Sequence, residues 1–109
     1  MKPFEVIRNV DEGGEYILGS KQTKSHACYL IYGVMMAGEQ GREIKPGEGH
    51  EEIVLALKGD LSVDGHFTGL LQQGKAIHLK GEETCWLKNE SNADAVYIVS
   101  GGHAESGQH

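Results

Sequence analysis

Residues 49–79, GHEEIVLALKGDLSVDGHFTGLLQQGKAIHL, decide the fold of this 109-residue chain. Short runs of β-forming residues alternate here with turn signals at Gly59, Asp64-Gly65 and Gly74, and Asp-Gly between apolar runs is a strong hairpin signal. Strands and turns at this regular spacing are typical of an antiparallel barrel or sandwich. The strands predicted in this stretch cover residues 51–57, 61–63, 66–71 and 75–79.

The flanking sequence extends the same pattern. Residues 26–37, HACYLIYGVMMA, are apolar at both alternating positions. This predicts a strand that is covered on both faces, either within a sandwich or at a subunit interface. Loop chemistry follows at 38–49, and further strands are predicted at 83–87 and 95–100.

Length and composition indicate one globular domain. Hydrophobic residues make up 39% of the chain and charged residues 24%, an ordinary balance for a folded protein. A chain of 109 residues has room for one core. We therefore expect edge strands and loops in 1–25, one barrel in 26–100 and a flexible polar tail in 101–109.

The charge pattern argues against two classes of partner. The net charge is −6 and no long cluster of Lys and Arg occurs, so the chain lacks the positive surface that nucleic acid or an anionic membrane requires. The first residues lack the apolar core of a signal peptide, which predicts a cytoplasmic protein. Cys28 and Cys85 fit no zinc-finger spacing. They are interpreted as buried small hydrophobes, and a disulfide between them is left open.

Two segments of the chain resemble the paired motifs of the cupin superfamily. In residues 46–59, Glu52 and Gly59 keep the spacing of the first motif, and an Asp-Gly hairpin follows. In residues 74–89, GKAIHLKGEETCWLKN contains the strand, the turn and the final Asn89 of the second motif. The resemblance implies an all-β fold, the antiparallel double-stranded β-helix or jelly-roll barrel of small single-domain cupins.

The resemblance also implies where a metal would bind. The family's usual ligands are two histidines and a glutamate in the first motif and one histidine in the second. The matching positions here are Pro46, Glu48, Glu52 and Cys85. Only the glutamate is kept, so the ordinary centre of three histidines and one carboxylate is not expected.

An alternative set of ligands follows from strand geometry. Side chains two residues apart point to the same face of a strand, so Glu48, His50 and Glu52 would share the inner face, opposite Cys85. His50, Glu52 and Cys85, with Glu48 as an optional fourth, form a nitrogen, oxygen and sulfur set for a divalent metal: zinc, iron, manganese or nickel. Two other interpretations remain open. In the first, Glu48 is a solvated loop acid, His50 a hydrogen-bonded residue of the barrel mouth and Cys85 a core residue. In the second, His50 and Glu52 act as an acid–base pair without metal.

The remaining candidate side chains divide between surface and interface. His66 and His78 are interpreted as solvated, His26 has no evident partner in the sequence, and His103 and His109 fall in the tail. Trp86 alternates with Cys85 and should therefore face outward, where a partner subunit would cover it. Together with the two-sided apolar strand, this predicts a homodimer.

The leading functional hypothesis is a pocket at the barrel mouth that binds a small polar molecule, with a divalent metal as an optional component. A second hypothesis is a metal-dependent cupin enzyme, an oxygenase, isomerase or lyase. The third is a purely structural dimeric barrel whose pocket is filled by side chains. Because one fold carries many chemistries, the sequence does not select a substrate or decide whether the chain is an enzyme.

Overall fold

The computed structural model describes residues 1–104 and forms two antiparallel sheets. The five-stranded sheet has the order β1-β2-β9-β4-β7, and the four-stranded sheet has the order β3-β8-β5-β6. The strands are β1 Glu15–Leu18, β2 Cys28–Met35, β3 Gln40–Ile44, β4 His50–Lys58, β5 Leu61–Gly65, β6 Gly69–Leu71, β7 Ala76–Lys80, β8 Cys85–Lys88 and β9 Ala95–His103. The predicted all-β, antiparallel jelly-roll fold is confirmed.

Two short helical turns lie outside the two sheets. A 3-10 turn at Ile7–Asn9 precedes β1, and a helix of one turn, α1, covers Ser20–Thr23. Neither is long enough to cross a membrane.

The core lies between the two sheets and follows from alternation along the strands. On β4, the inward Val54 and Ala56 are fully buried while Ile53 is 51% exposed. The four-stranded sheet contributes Leu61 and Leu87 to the same cluster. Alternate residues on facing sheets therefore supply the hydrophobic burial that holds the barrel together.

One strand was missed in the segment predicted as a loop. Residues 40–44 form β3, the edge strand that pairs with β8. The register shifts between Gln40 and Arg42, and Gly41 has a φ of 81°. This bulge interrupts the period-2 pattern by which a strand is recognised, and Ile44 is the only apolar residue of β3.

The predicted hairpin is present, with β5 paired antiparallel to β6, but its loop is longer than the two residues Asp64-Gly65. β5 continues through Gly65, which pairs with Cys85 on β8, and the chain turns at residues 66–68 before β6. A Cβ at Gly65 would lie 2.5 Å from the Thr84 carbonyl oxygen. Gly65 also has a φ of 118°, so both its backbone conformation and the close approach of β8 favour glycine here. The predicted strand at 66–71 shortens to three residues.

The last strand extends into the segment predicted as a tail. β9 runs to His103, with Gly101 paired to Tyr29 on one side and to Glu52 on the other. The two glycines 101 and 102 looked like a strand end, but here they lie between two neighbouring strands. Residues 105–109, including His109, lie outside the described part of the chain.

Candidate functional site

A pocket of about 260 Å³ opens where β2, β4 and β9 meet the connection between β1 and β2. We call it the mouth pocket. It contains three imidazoles, a phenol, a thiol and a hydroxyl together with an apolar wall. Its lining residues are Ile17, Gly19, Ser20, His26, Cys28, Tyr29, His50 and His103.

Strand register brings the aromatic and imidazole side chains together. His50 on β4 is paired with His103 on β9, and their ring centroids are 5.4 Å apart. Tyr29 on β2 lies beyond β9 in the sheet, with 6.2 Å between its ring centroid and that of His50. Three strands that are distant in sequence thus supply one cluster of hydrogen-bonding groups.

A glycine makes room for the tyrosine. A Cβ at Gly101 would lie 2.2 Å from Cζ of Tyr29, so the phenol ring packs directly on the β9 backbone. In this position the Tyr29 hydroxyl donates a hydrogen bond to the carboxylate of Glu52. Glu52 is only 5% exposed, and the pair forms a buried polar contact beside the pocket.

Burial controls the proton affinity of this pair. Burial of the Glu52 carboxyl and the negative charge of Glu15 raise its pKa. The hydrogen bond from Tyr29 and the charge of His50 lower it, and the net pKa is raised. The pKa of Tyr29 is raised by burial, by its hydrogen bond to Glu52 and by the charge of that carboxyl. Glu52 therefore holds a proton to a higher pH than an exposed glutamate does.

A second polar network, which is partly buried, joins Glu15, Arg42, Glu39 and Tyr97. The Tyr97 hydroxyl donates to Glu15, and Nη1 of Arg42 donates to Tyr97 at 2.9 Å. Arg42 also forms an ion pair with Glu39. Burial alone would raise the pKa of Glu39, but the Met36 backbone N–H and Arg42 stabilise the carboxylate, and the net pKa is lowered. This network joins β1, β3 and β9, which indicates a structural role.

The structure places the predicted site residues in different environments. His50 and Glu52 share the inner face of β4, as the alternation predicts. Glu48 does not join them: it is exposed in the turn before β4, and its contact with Nδ1 of His50 is made by the backbone oxygen, at 3.1 Å. Alternation fails there because Gly47 and Gly49 adopt positive φ angles.

Cys85 is a core residue of the opposite sheet. It is fully buried on β8, and its Sγ lies 3.4 Å from the Phe67 backbone nitrogen. It does not line the mouth pocket. Cys28, predicted to be buried, is exposed, and both cysteines are free thiols.

The predicted metal ligands are not brought together. Within residues 1–104, no three His, Cys, Asp or Glu side chains are grouped so that they could hold a metal ion. Glu52 is engaged by Tyr29, and Cys85 packs in the hydrophobic core between the two sheets. The set of His50, Glu52 and Cys85 therefore does not fit zinc, iron, manganese or nickel.

Of the eight residues that line the mouth pocket, only His50 was predicted from the sequence as a pocket residue. His103 was assigned to the tail, although the alternation Tyr97, Val99, Gly101, His103 continues along one face of β9 and was available as a signal. His26 and Tyr29 gave no such signal, because their neighbours in the pocket lie on other strands. His66 and His78 are exposed as predicted, 3.3 Å from Glu83 and 2.7 Å from Glu51 respectively.

Known proteins resemble this chain in structure and not in sequence. No protein-family model matches it, and no curated protein shows significant sequence similarity. One solved neighbour is an uncharacterised Klebsiella pneumoniae protein with a double-stranded β-helix domain; it has a TM-score of 0.70 at 11% identity, with 98% of this chain and 94% of that chain covered.

Two further neighbours are a domain and an enzyme. The cupin domain of Schizosaccharomyces pombe Cnp3 has a TM-score of 0.62 at 14% identity, covering 72% of this chain and 57% of that one. Recombinant oxalate oxidase in complex with glycolate has a TM-score of 0.70 at 14% identity, covering 94% and 58%. At these identities the neighbours establish the fold alone: the chain has the cupin-type double-stranded β-helix fold.

Proposed function

We propose that the chain binds a small hydroxy acid or related carboxylate in the mouth pocket. The observation that carries the proposal is the convergence of His26, His50, His103 and Tyr29 on one cavity. Imidazole N–H groups donate hydrogen bonds to carboxylate oxygens, and the Tyr29 oxygen, whose own proton is donated to Glu52, can accept one from a ligand hydroxyl. The pocket therefore offers a carboxylate and a neighbouring hydroxyl several partners at once.

The size of the pocket favours a small ligand. Its volume of about 260 Å³ lies just below the ~300–1,000 Å³ of pockets that hold drug-sized molecules. A structural neighbour, oxalate oxidase, is found in complex with glycolate. That ligand belongs to the neighbour, but it makes glycolate a reasonable first probe for this chain.

Binding is tested by thermal unfolding and calorimetry with glycolate and other small hydroxy acids. A ligand at 100 times its dissociation constant should stabilise the native state by about 2.7 kcal/mol. We expect His50→Ala and His103→Ala each to weaken binding at least about tenfold, a loss of ~1.4 kcal/mol. His66→Ala is the matched control, because His66 is exposed and does not line the pocket.

Two results would contradict this proposal. One is the absence of any stabilisation across a series of small acids. The other is an equal loss of affinity in His66→Ala and His50→Ala, since that would place the ligand outside the mouth pocket.

Acid–base catalysis is a second candidate function, favoured by the buried Tyr29–Glu52 pair. A carboxyl whose pKa is raised by burial holds a proton to a higher pH than an exposed glutamate does, as a general acid requires. The reaction class would be a proton-transfer isomerase or lyase acting on the same small acids. Glu52→Gln should then abolish turnover while glycolate binding persists; turnover at the wild-type rate in this variant would exclude the role.

Metal binding is tested separately by loading with zinc, iron, manganese or nickel and measuring the metal content. Because the predicted ligands are apart, we expect Cys85→Ala and wild type to retain equal, substoichiometric metal. One equivalent of metal in wild type, lost in both His50→Ala and Cys85→Ala, would restore the metal hypothesis.

The open cavity also favours ligand binding over the filled structural barrel.

A further inference from the structure

A second cavity, of about 380 Å³, lies on the outer face of the four-stranded sheet. Its volume falls within the ~300–1,000 Å³ of pockets that hold small organic ligands. We call it the Trp86 cavity. The aromatic and polar side chains that line it are Ser62, Asp64, Thr68, Trp86, Lys88 and Glu90.

Trp86 is the apolar centre of this cavity. It is 43% exposed, so its predicted outward orientation is confirmed. The sequence predicted that a partner subunit would cover both Trp86 and β2. However, Trp86 and the outer side of β2 lie on opposite faces of the barrel, and one two-fold interface cannot include both. The exposed indole therefore calls for a different occupant.

The indole is held in place without a ligand. A Cβ at Gly65 would lie 3.1 Å from Cε3 and from Cζ3 of Trp86, so the ring packs closely on the backbone of β5. A rigid aromatic ring loses little conformational entropy when a ligand stacks on it.

Strand register places donors and acceptors around the ring. Asp64 on β5 lies directly across from Trp86 on β8. The Thr68 hydroxyl donates a hydrogen bond to Asp64 at 3.3 Å, and Nζ of Lys88 lies 3.4 Å from Glu90. Carboxylates, an ammonium and a hydroxyl retain further hydrogen-bonding positions beyond these contacts. The cavity therefore suits a ligand with several hydroxyl groups.

The apolar surface continues beside the cavity. Ser62 pairs with Leu70 on β6, and Leu70 is 53% exposed. Trp86 and Leu70 are two strands apart, or ~9.6 Å. A ligand of several linked units, each with an apolar face, would reach from one to the other.

The charges of the cavity select against other kinds of ligand. The carboxylates of Asp64 and Glu90 outnumber the ammonium of Lys88, which disfavours phosphate and carboxylate groups. Charged side chains are also depleted from the cores of protein–protein interfaces, whereas Trp86 has Glu43 and Asp64 as its cross-strand neighbours. A neutral ligand that combines apolar faces with hydroxyl groups remains.

We propose that the Trp86 cavity binds a neutral β-linked gluco-oligosaccharide. In β-linked glucose every ring substituent is equatorial, so both faces of the pyranose present C–H groups. These C–H groups are attracted to the negative face of an aromatic ring, and the equatorial hydroxyls point outward, toward donors and acceptors like those around Trp86. This site is independent of the proposed ligand of the mouth pocket, because the two cavities lie on different sheets.

Fluorescence tests the proposal directly, because Trp86 is the one tryptophan of the chain. Excitation at a wavelength that selects indole over the four tyrosines reports on this cavity alone. Titration with cellotetraose should change the emission with a dissociation constant on the order of 1 mM. By calorimetry, Trp86→Ala should weaken binding at least about tenfold, and Trp86→Tyr should retain part of the affinity because it keeps an aromatic face.

A matched pair of variants tests the polar contacts and does not depend on removal of the tryptophan. Asp64 and Glu43 are both paired with Trp86, but only Asp64 lines the cavity. Asp64→Ala should weaken cellotetraose binding, and Glu43→Ala and the mouth-pocket variant His50→Ala should leave it unchanged. Circular dichroism checks the folding of every variant.

The charge argument is tested with the β-1,4-linked tetramer of glucuronate, which has the same backbone and a carboxylate on each unit. It should bind at least about fivefold more weakly than cellotetraose at low salt. Three results would overturn the proposal: no response to cellotetraose up to about 10 mM, equal affinity for the charged tetramer, or equal losses in Asp64→Ala and Glu43→Ala.

Discussion

Two tyrosines on the inner face of the five-stranded sheet each lie on a glycine of the neighbouring strand. Tyr29 covers Gly101, and Tyr97 covers Gly33, where a Cβ would lie 2.1 Å from the Tyr97 ring. Each phenol thereby reaches a glutamate: Glu52 for Tyr29 and Glu15 for Tyr97. The absence of two side chains thus positions the polar groups inside the barrel.

Gly101→Ala should displace Tyr29 and disconnect it from Glu52. Forcing a methyl group into a packed site costs about 1–3 kcal/mol, measured by urea unfolding, and ligand affinity in the mouth pocket should fall with it. Ser100→Ala, on the outward side of the same strand, should change neither quantity. An equal effect of both substitutions would show that the contact with Tyr29 is not the cause.

Tyr29→Phe should destabilise the native state at neutral pH. It removes the hydroxyl that hydrogen-bonds to the buried Glu52 carboxylate, and an unsatisfied buried polar group costs about 1–3 kcal/mol. Adding Glu52→Gln to Tyr29→Phe should recover part of the loss, because an uncharged amide is less costly to bury. A double variant less stable than Tyr29→Phe would contradict this account.

Glu52 should also give stability a specific pH dependence. In the folded chain its pKa is raised above the ordinary value of 4.5. At a pH between 4.5 and the folded-state pKa, the unfolded chain has therefore lost this proton while the folded chain keeps it. The contribution of Glu52 is thus complete below pH 4.5 and is lost as the pH rises through the folded-state pKa. Glu52→Gln should remove this fall, as seen in unfolding free energies at several pH values for both proteins; parallel curves would rule it out.

At the scale of elements, Asn89 ties the end of β2 to the connection between β8 and β9. Its buried amide nitrogen donates to the carbonyl oxygens of Met35 at 3.1 Å and Ala93 at 2.8 Å, and its oxygen accepts from the Ser91 backbone N–H. The asparagine that completes the second motif is therefore a structural residue here.

Asn89→Ala should leave buried carbonyl groups without a donor and lower the free energy of unfolding by about 1–3 kcal/mol. Asn92→Ala supplies the control, because Asn92 is exposed in the same connection. Chemical denaturation measures both. If Asn89→Ala were as stable as Asn92→Ala, the hydrogen bonds of Asn89 would have no net structural role.

Elements with local signals were predicted well, and those that depend on neighbours were not. β4 was expected at 51–57 and spans His50–Lys58, because residues 53–57 form a continuous run of apolar residues that ends shortly before Gly59. β3 was missed, since its bulge and polar residues give no local pattern. Gly65 was read as a turn, although its glycine serves the approach to β8.

At the scale of the whole molecule, the two thiols report on folding. Cys28 is exposed and Cys85 is buried, so a thiol reagent should label one cysteine in the native protein and two after denaturation. Cys28→Ala should show no rapid labelling, and a ligand in the mouth pocket should slow the reaction of Cys28 in wild type. Rapid labelling of both thiols in the native state would contradict the burial of Cys85.

The sequence alone determined the all-β class, the antiparallel jelly-roll barrel and the inward orientation of His50 and Glu52. These depend on alternation and turn chemistry within short segments, and such local signals can be read along a chain. Only the tertiary structure decided that Tyr29 and His103 join His50 and that Glu48 and Cys85 do not. It also decided that Trp86 and the outer side of β2 lie on opposite faces of the barrel. Those facts depend on the pairing of strands far apart in sequence, and a local pattern carries no information on which distant strands become neighbours.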